Sequence, residues 1–191
     1  MNYGEELAYW YLRLNGFFPL TDFVLHKSEE IEHPSDCDIL AIRTPYVKEA
    51  IGGRPIDWDK KLRRKLNFNR TIGLICEVKT GVLEFDKVLK SQNVNYAIDR
   101  LGFAEDSSVA KNKLQTQKRY SLGNQYQIAK LLIADRQLDD TGRPFLFLSL
   151  KHIRQFIKNR FEQYPQKFRD RIYFNSDLMQ YLIWESKPSI G

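Results

Sequence analysis

The sequence predicts an α/β or α+β domain built on a central mixed β-sheet flanked by helices, and three observations carry that prediction. Apolar residues recur with helical period near both ends of the chain, and short β-branched apolar runs of strand length lie between them. A chain of 191 residues that is 42% hydrophobic and 28% charged has a core-forming composition. Its length matches a single core of roughly 100–200 residues. The order helix, three strands, helix, strand suits a mixed sheet with helices packed on it. Residues 1–191 read as one domain, with a core over about 1–150, a basic insertion over about 44–71 and a helical extension over about 151–191.

Residues 5–16 place Leu7, Tyr11 and Leu14 at i, i+4 and i+7, the stripe of an amphipathic helix, and Gly16 supplies its stop. Asp22 to Lys27 alternates weakly and predicts a strand, followed by a polar turn containing Pro34. Residues 37–43 (CDILAIR) and 73–80 (GLICEVKT) predict two more strands, with the insertion between them. After Gly81 a helical period returns through about Leu101, with Phe85, Val88, Leu89, Val94 and Ile98 as its buried face and Gly102 as its end. Glu105 to Lys113 is polar and predicts a loop. Strands are expected over 127–134 and 145–150, a basic helix from about Lys151 to Phe161, and a closing helix over Ser176 to Trp184 capped by Ser176.

Composition narrows the function classes. No window approaches the roughly 18 apolar residues of a membrane span, and Glu5 and Glu6 stand where a signal peptide would carry basic residues. Cys37 and Cys76 form neither a disulfide framework nor a metal-binding pair, which fits a reducing, cytoplasmic setting. His26, His33 and His152 lack ligand spacing, so a metal would be held by oxygen atoms.

The net charge of +6 is concentrated. Residues 44–70 and 151–171 each carry a net +5, leaving the remainder acidic. Lys60, Lys61, Arg63, Arg64, Lys65, Lys151, Arg154 and Lys158 are therefore candidate nucleic-acid contacts. Trp58, Phe68, Phe161, Tyr164 and Phe168 are interleaved with them as possible stacking partners for bases. The same charge runs also suit solvated helix faces.

The string Ile75-Cys76-Glu77-Val78-Lys79-Thr80 puts Glu77 and Lys79 on one face of a strand and Cys76 and Val78 on the other. Cys37 and Cys76 then face away from the carboxylates as core thiols. Asp38 stands before the apolar run of the preceding strand, and hairpin-like pairing across the insertion would bring it beside Glu77. Two carboxylates meeting there call for a cation, and Mg²⁺ or Mn²⁺ accepts carboxylates, waters and a carbonyl such as that of Val78. Lys79 could then lower the pKa of an attacking water, orient it, or neutralise charge developing on phosphorus.

Taken together, these strings resemble the PD-(D/E)XK nuclease superfamily, in its resolvase-like branch. Gly4-Glu5-Glu6-Leu7-Ala8 resembles the family's first helix, Ser35-Asp36-Cys37-Asp38-Ile39-Leu40-Ala41 its first acidic motif, and Cys76-Glu77-Val78-Lys79-Thr80 its (D/E)XK motif. Gln92 and Tyr96 are similar to a Gln-x-x-x-Tyr element of the exonuclease-like branch. The resemblance spans about the first hundred residues. It implies a restriction-endonuclease-like core and a Mg²⁺-dependent DNA endonuclease or exonuclease, Mn²⁺ substituting. Asp38 and Glu77 would hold the metal, Glu5 would support it and Lys79 would act on water. Asp36 competes with Asp38 for the metal, and Glu6, Gln92 and Tyr96 are accessory candidates. Pro34 lies four residues before Asp38 and the Asp38-to-Glu77 spacing is long, both departures from the pattern. The scaffold serves restriction, repair, recombination and transposition, so partners range from DNA alone to a homodimer or larger DNA-processing complex.

Other readings stay open. Asn2 and Glu5 also fit a capping box, and Glu77 and Lys79 a surface ion pair. The rival functions are a non-catalytic nucleic-acid-binding accessory subunit with a nuclease-like fold, and a domain whose basic surface meets an acidic protein.

Overall fold

The computed structural model describes residues 1–25, 35–48, 54, 56–139, 141–165 and 176–185. Asn2 Oδ1 accepts hydrogen bonds from the N–H groups of Gly4 (2.9 Å) and Glu5 (3.1 Å), and Glu5 Oε2 accepts from Asn2 N–H at 2.8 Å. This capping box starts helix α1 (Tyr3–Leu14), whose Leu7, Ala8, Tyr11 and Leu12 are buried. Gly16, at φ +79°, turns the chain towards strand β1 (Phe18–Leu25). β1 starts before the predicted strand because Phe18, Pro19 and Leu20 already pair with Ile42, Ala41 and Leu40. His26, Lys27 and Pro34 lie outside the described residues.

Strands β2 (Ser35–Arg43) and β3 (Thr71–Lys79) pair antiparallel, and β5 (Tyr126–Ala134) pairs parallel to β3. The outer edge of β5 is shared. β4 (Arg119–Leu122) pairs antiparallel with its first half, and β6 (Leu146–Ser149) pairs parallel with its second half. The six strands form one mixed sheet flanked by helices on both faces. On one face α1, α5 (Leu150–Gln163) and α6 (Asp177–Glu185) cover Ile39, Ala41, Leu74, Cys76, Leu131 and Ile133. On the other, α3 (Ser91–Leu101) and α4 (Ser108–Thr116) cover Leu40, Ile75 and Ile128. Among the described residues no helix is long and apolar enough to cross a membrane.

Three predicted elements change. The helix expected from Gly81 begins only at Ser91, with a 3-10 turn at Phe85–Lys87 before it. Leu89 takes a positive φ of +49°, which no helix tolerates, and Phe85 is exposed rather than buried. The polar stretch 105–113 holds most of α4, because Ala110 and Leu114, at i and i+4, bury against α3. β4 has no counterpart among the predicted strands. At both ends of the C-terminal half the capping is as expected: Ser176 Oγ accepts from Met179 N–H at 3.1 Å, and Gly102 closes α3 in the left-handed conformation.

The described residues of the basic insertion pack against the rest of the domain. Arg43, at the end of β2, is 2% exposed and closes its neck. Its guanidinium donates to the carbonyls of Asn15 (3.0 Å), Thr44 (3.1 Å) and Phe68 (3.2 Å), and lies 3.9 Å from the Phe68 ring centroid and 5.1 Å from that of Trp58. Burial pulls its pKa down to about 10, which leaves it charged at neutral pH. Two buried aspartates fasten the rest. Asp59 caps helix α2 (Lys60–Lys65) and accepts from the Tyr11 hydroxyl at 2.5 Å, with His152 Nε2 at 2.6 Å from the same oxygen. Asp57 accepts from Tyr164 (2.7 Å) and Gln163 (3.1 Å), and its carbonyl accepts from Arg160.

Replacing Arg43 by Met removes the donor to three carbonyls at the neck. We expect a loss of about 3 kcal/mol in urea denaturation, because hydrogen bonds to a charged group are worth about 1.5–3 kcal/mol each and their loss is partly offset by relaxation. An unchanged denaturation midpoint would show that the rings alone close the neck.

Candidate active site

The pairing of β3 with its two neighbours is unequal. Its ladder with β5 runs from Thr71–Tyr126 to Lys79–Ala134, whereas its ladder with β2 ends at Ile39–Cys76. Beyond that point the N–H of Val78 needs another acceptor, and Asp38 Oδ2 takes it at 2.7 Å. In a strand the N–H and C=O of one residue point to the same edge, so the Val78 carbonyl also faces the Asp38 side. The Lys79 carbonyl points the other way and accepts from Asp135 N–H at 3.2 Å.

Glu77 and Lys79 lie on one face as the alternation predicts, with Lys79 Nζ 2.8 Å from Glu77 Oε1. The other Glu77 oxygen accepts from the N–H of Leu89, the residue with positive φ. The first turn of α1 closes on the same strand end. A Cβ on Gly4 would lie 2.4 Å from Thr80 Cγ2 and 3.2 Å from Val78 Cγ1, so the absence of a side chain permits this approach. Glu5 remains in its capping box, yet its charge reaches both Asp38 and Lys79. All four residues proposed for catalysis, from three separate elements, thus form one electrostatic cluster.

Burial is the main influence that raises the Asp38 pKa above its ordinary value, and the charges of Glu77 and Glu5 add to it. The Val78 N–H and the Lys79 ammonium oppose the rise without cancelling it. For Lys79 burial pulls the pKa down, but the bond to Glu77 and the fields of Glu77, Asp38 and Glu5 reverse this, leaving it raised. Among the described residues no three carboxylate, thiolate or imidazole side chains form a ready metal cage. The oxygen donors grouped here are Asp38, Glu77 and the Val78 carbonyl.

Gln92 Nε2 and the Tyr96 hydroxyl share one face of α3, 3.3 Å apart. Glu6 turns from the cluster and accepts from Ser176, tying α1 to α6. The Asp36 side chain lies outside the described residues. Cys76 packs under α1 as expected, but Cys37 packs with Leu40 and Ile75 on the α3 face, because β2 parts from β3 just there. Burial pushes the Cys37 thiol up to about 12 and the Cys76 thiol above its ordinary value, so both stay protonated.

The basic residues separate into two groups. Lys60, Lys61, Arg63 and Arg64 are exposed on α2 and Lys65 is half-buried. Arg63 and Arg64 join Arg70 and Arg119 around a groove of about 510 Å³ at the start of β3. Glu77 stands six residue steps along β3 from that strand end, a distance of roughly 20 Å. Lys151 is exposed at the opposite end, where Ser149, Ala134 and Lys79 stand in register. Arg154 and Lys158 are drawn to Glu185, at 2.9 Å and 3.4 Å. Two aromatic residues expected to stack on bases are core instead: Trp58 packs against Arg43, and Phe161 lies on the buried face of α5. Phe168 lies outside the described residues.

Asp57, Asp59 and Arg119 escape the sequence reading, as does the role of Leu89, which it places on the buried face of a helix. Only Asp59 had a local signal, an acid directly before the helical run KKLRRK. Comparison of the chain with protein-family models, curated proteins and solved structures finds no match.

Asp38→Asn keeps an acceptor for Val78 N–H and removes a charge that burial disfavours. Below the ordinary value of 3.8 the carboxyl is protonated in the folded and unfolded chain alike, so the substitution has little effect there. As the pH rises through the raised folded value, the ionised carboxylate destabilises wild type. Metal-free melting curves should therefore show Asp38→Asn above wild type at pH 7 and the two converging near pH 3. A variant equally unstable at both pH values would refute the assignment.

Proposed function

We propose that the chain is a metal-dependent DNA nuclease with a restriction-endonuclease-like core that hydrolyses phosphodiester bonds. The observation that supports this reading is the grouping of Asp38, Glu77, Lys79 and Glu5 at one end of β3. The donor set suits Mg²⁺, which keeps several waters and takes one or two carboxylates, and Mn²⁺ fits the same oxygens. Asp38, Glu77 and the Val78 carbonyl would hold it, with Glu5 supporting the site. Bound there, the ion would supply Lewis-acid activation of water and neutralise phosphate charge.

The protein's own groups divide the remaining work. Lys79 is held as an ammonium by its acidic neighbours, so it donates a hydrogen bond and positive charge to the reacting phosphate or to the attacking water, and does not remove a proton. Leu89 N–H fixes the Glu77 carboxylate, and Val78 N–H fixes that of Asp38. Exposed Lys60, Lys61, Arg63, Arg64 and Lys151 would contact the DNA backbone, while Arg154 and Lys158 contribute less because they share Glu185.

The test is incubation of wild type, Glu77→Ala and Lys79→Ala with labelled linear, single-stranded and four-way-junction DNA in Mg²⁺, Mn²⁺ or EDTA. Wild type should cleave only with metal, Glu77→Ala should be inactive, and Lys79→Ala should lose about 10²–10³-fold in rate while still binding DNA. The preferred substrate would name the branch. Binding by wild type without cleavage on any substrate would sink the nuclease reading in favour of the accessory module.

A further inference from the structure

Lys130 is a buried cation that the proposed chemistry does not use. It interrupts the apolar run of β5 on the α3/α4 face and is 3% exposed. An ammonium carries three N–H donors, and Lys130 gives one to the Leu114 carbonyl of α4. Among the described residues no carboxylate pairs with it, and burial alone draws its pKa down to about 8. A buried ammonium with one acceptor is poorly compensated, so its surroundings matter.

Those surroundings include a cavity of about 270 Å³, bounded by the 3-10 turn, the start of α3, the end of α4 and the segment before β6. Lys130, Lys90 and Arg143 line it, against one carboxylate, Asp86. Arg143 is fixed by stacking 3.9 Å from the Phe85 ring centroid and by donating to the Asp139 carbonyl at 3.1 Å. The volume falls below the roughly 300–1,000 Å³ of pockets for drug-sized ligands. Leu89, whose N–H holds Glu77, forms part of the same wall.

We propose that this cavity is an anion site that binds a phosphate group between Lys130, Lys90 and Arg143. The phosphate would accept the donors that Leu114 leaves over and neutralise the buried charge. Its source is either a free phosphate or mononucleotide, or the backbone of a nucleic acid strand. The inference goes beyond the nuclease reading and does not depend on it, since binding here needs neither metal nor cleavage.

The experiment uses the full chain in metal-free buffer, with wild type, Lys130→Met and Arg143→Gln. Each is titrated with inorganic phosphate, deoxyadenosine monophosphate, adenosine and a short single-stranded oligonucleotide, with chloride matching ionic strength. Calorimetry gives affinity and melting curves give stability. Wild type should bind phosphate and the mononucleotide saturably and ignore adenosine, and each variant should weaken phosphate by about tenfold or more. In phosphate-free buffer Lys130→Met should melt at or above wild type, because an uncompensated buried charge has been removed. Oligonucleotide binding that is lost in Lys130→Met would assign the phosphate to a nucleic acid strand; retained oligonucleotide binding beside lost phosphate binding would assign it to a small free anion. If Lys130 serves only to tie α4 to the sheet, Lys130→Met melts lower and wild type responds to phosphate no more than to chloride, which overturns the proposal. Should Lys130→Met not fold, phosphate affinity in Arg143→Gln equal to that of wild type overturns it alone.

Discussion

The backbone of β3 is satisfied to its last residue on one edge and only to Cys76 on the other, and this inequality shapes the candidate site. Buried peptide groups require partners, so the parting of β2 from β3 demands an acceptor for Val78 N–H. Asp38 meets that demand with a side chain, which fixes a carboxylate at the strand end and exposes a carbonyl edge beside it. The neighbouring Glu77 is held by the same kind of long-range backbone contact. Leu89 must adopt a left-handed conformation to deliver its N–H, at a cost of about 1–2 kcal/mol. Local conformational energy is thus spent in aiming acidic groups that repel one another.

The insertion obeys a second constraint, the burial of charge. Arg43, Asp57, Asp59 and Arg160 are all buried, and each has polar partners from another element. These contacts fasten the insertion to α1 and α5 and sort its side chains, with Trp58 and the aspartates inward and Lys60, Lys61, Arg63 and Arg64 outward. Asp59 is held below its ordinary pKa: burial works against ionisation, and His152, Tyr11 and the Lys61 N–H outweigh it. Arg63 and Arg64 are therefore fixed in place around the groove at the far end of β3 from the carboxylates. A polyanion touching both must cross the length of a strand, roughly 20 Å.

Much of this was legible because it is local or periodic. The stripe of α1, its Asn2–Glu5 capping box and the apolar runs of β2, β3 and β5 all announce themselves, and alternation correctly pairs Glu77 with Lys79. What escaped depends on tertiary context. Residues 81–90 carry apolar spacing that suits a helix, but Leu89 N–H is recruited by Glu77 twelve positions earlier, and the chain turns instead. α4 shows only Ala110 and Leu114 in a polar run, too thin a stripe until α3 is there to cover it. The basic runs reveal charge but not its direction. Arg154 and Lys158 look like DNA contacts until the fold brings Glu185 beside them from α6.

The sheet holds two buried cations, and their contrast separates a structural role from one awaiting a ligand. Arg43 has five N–H donors, and three carbonyls and two aromatic faces surround it. Its charge is delocalised and weakly hydrated, which makes such a neutral cage adequate. Lys130 concentrates the same charge on one nitrogen with a single carbonyl acceptor, and a cavity with further cations opens beside it. A lysine kept only to anchor α4 would gain nothing from Lys90 and Arg143 lining the same cavity. Their presence around one cavity suits an anion, and Leu89, whose N–H holds Glu77, lines the same cavity.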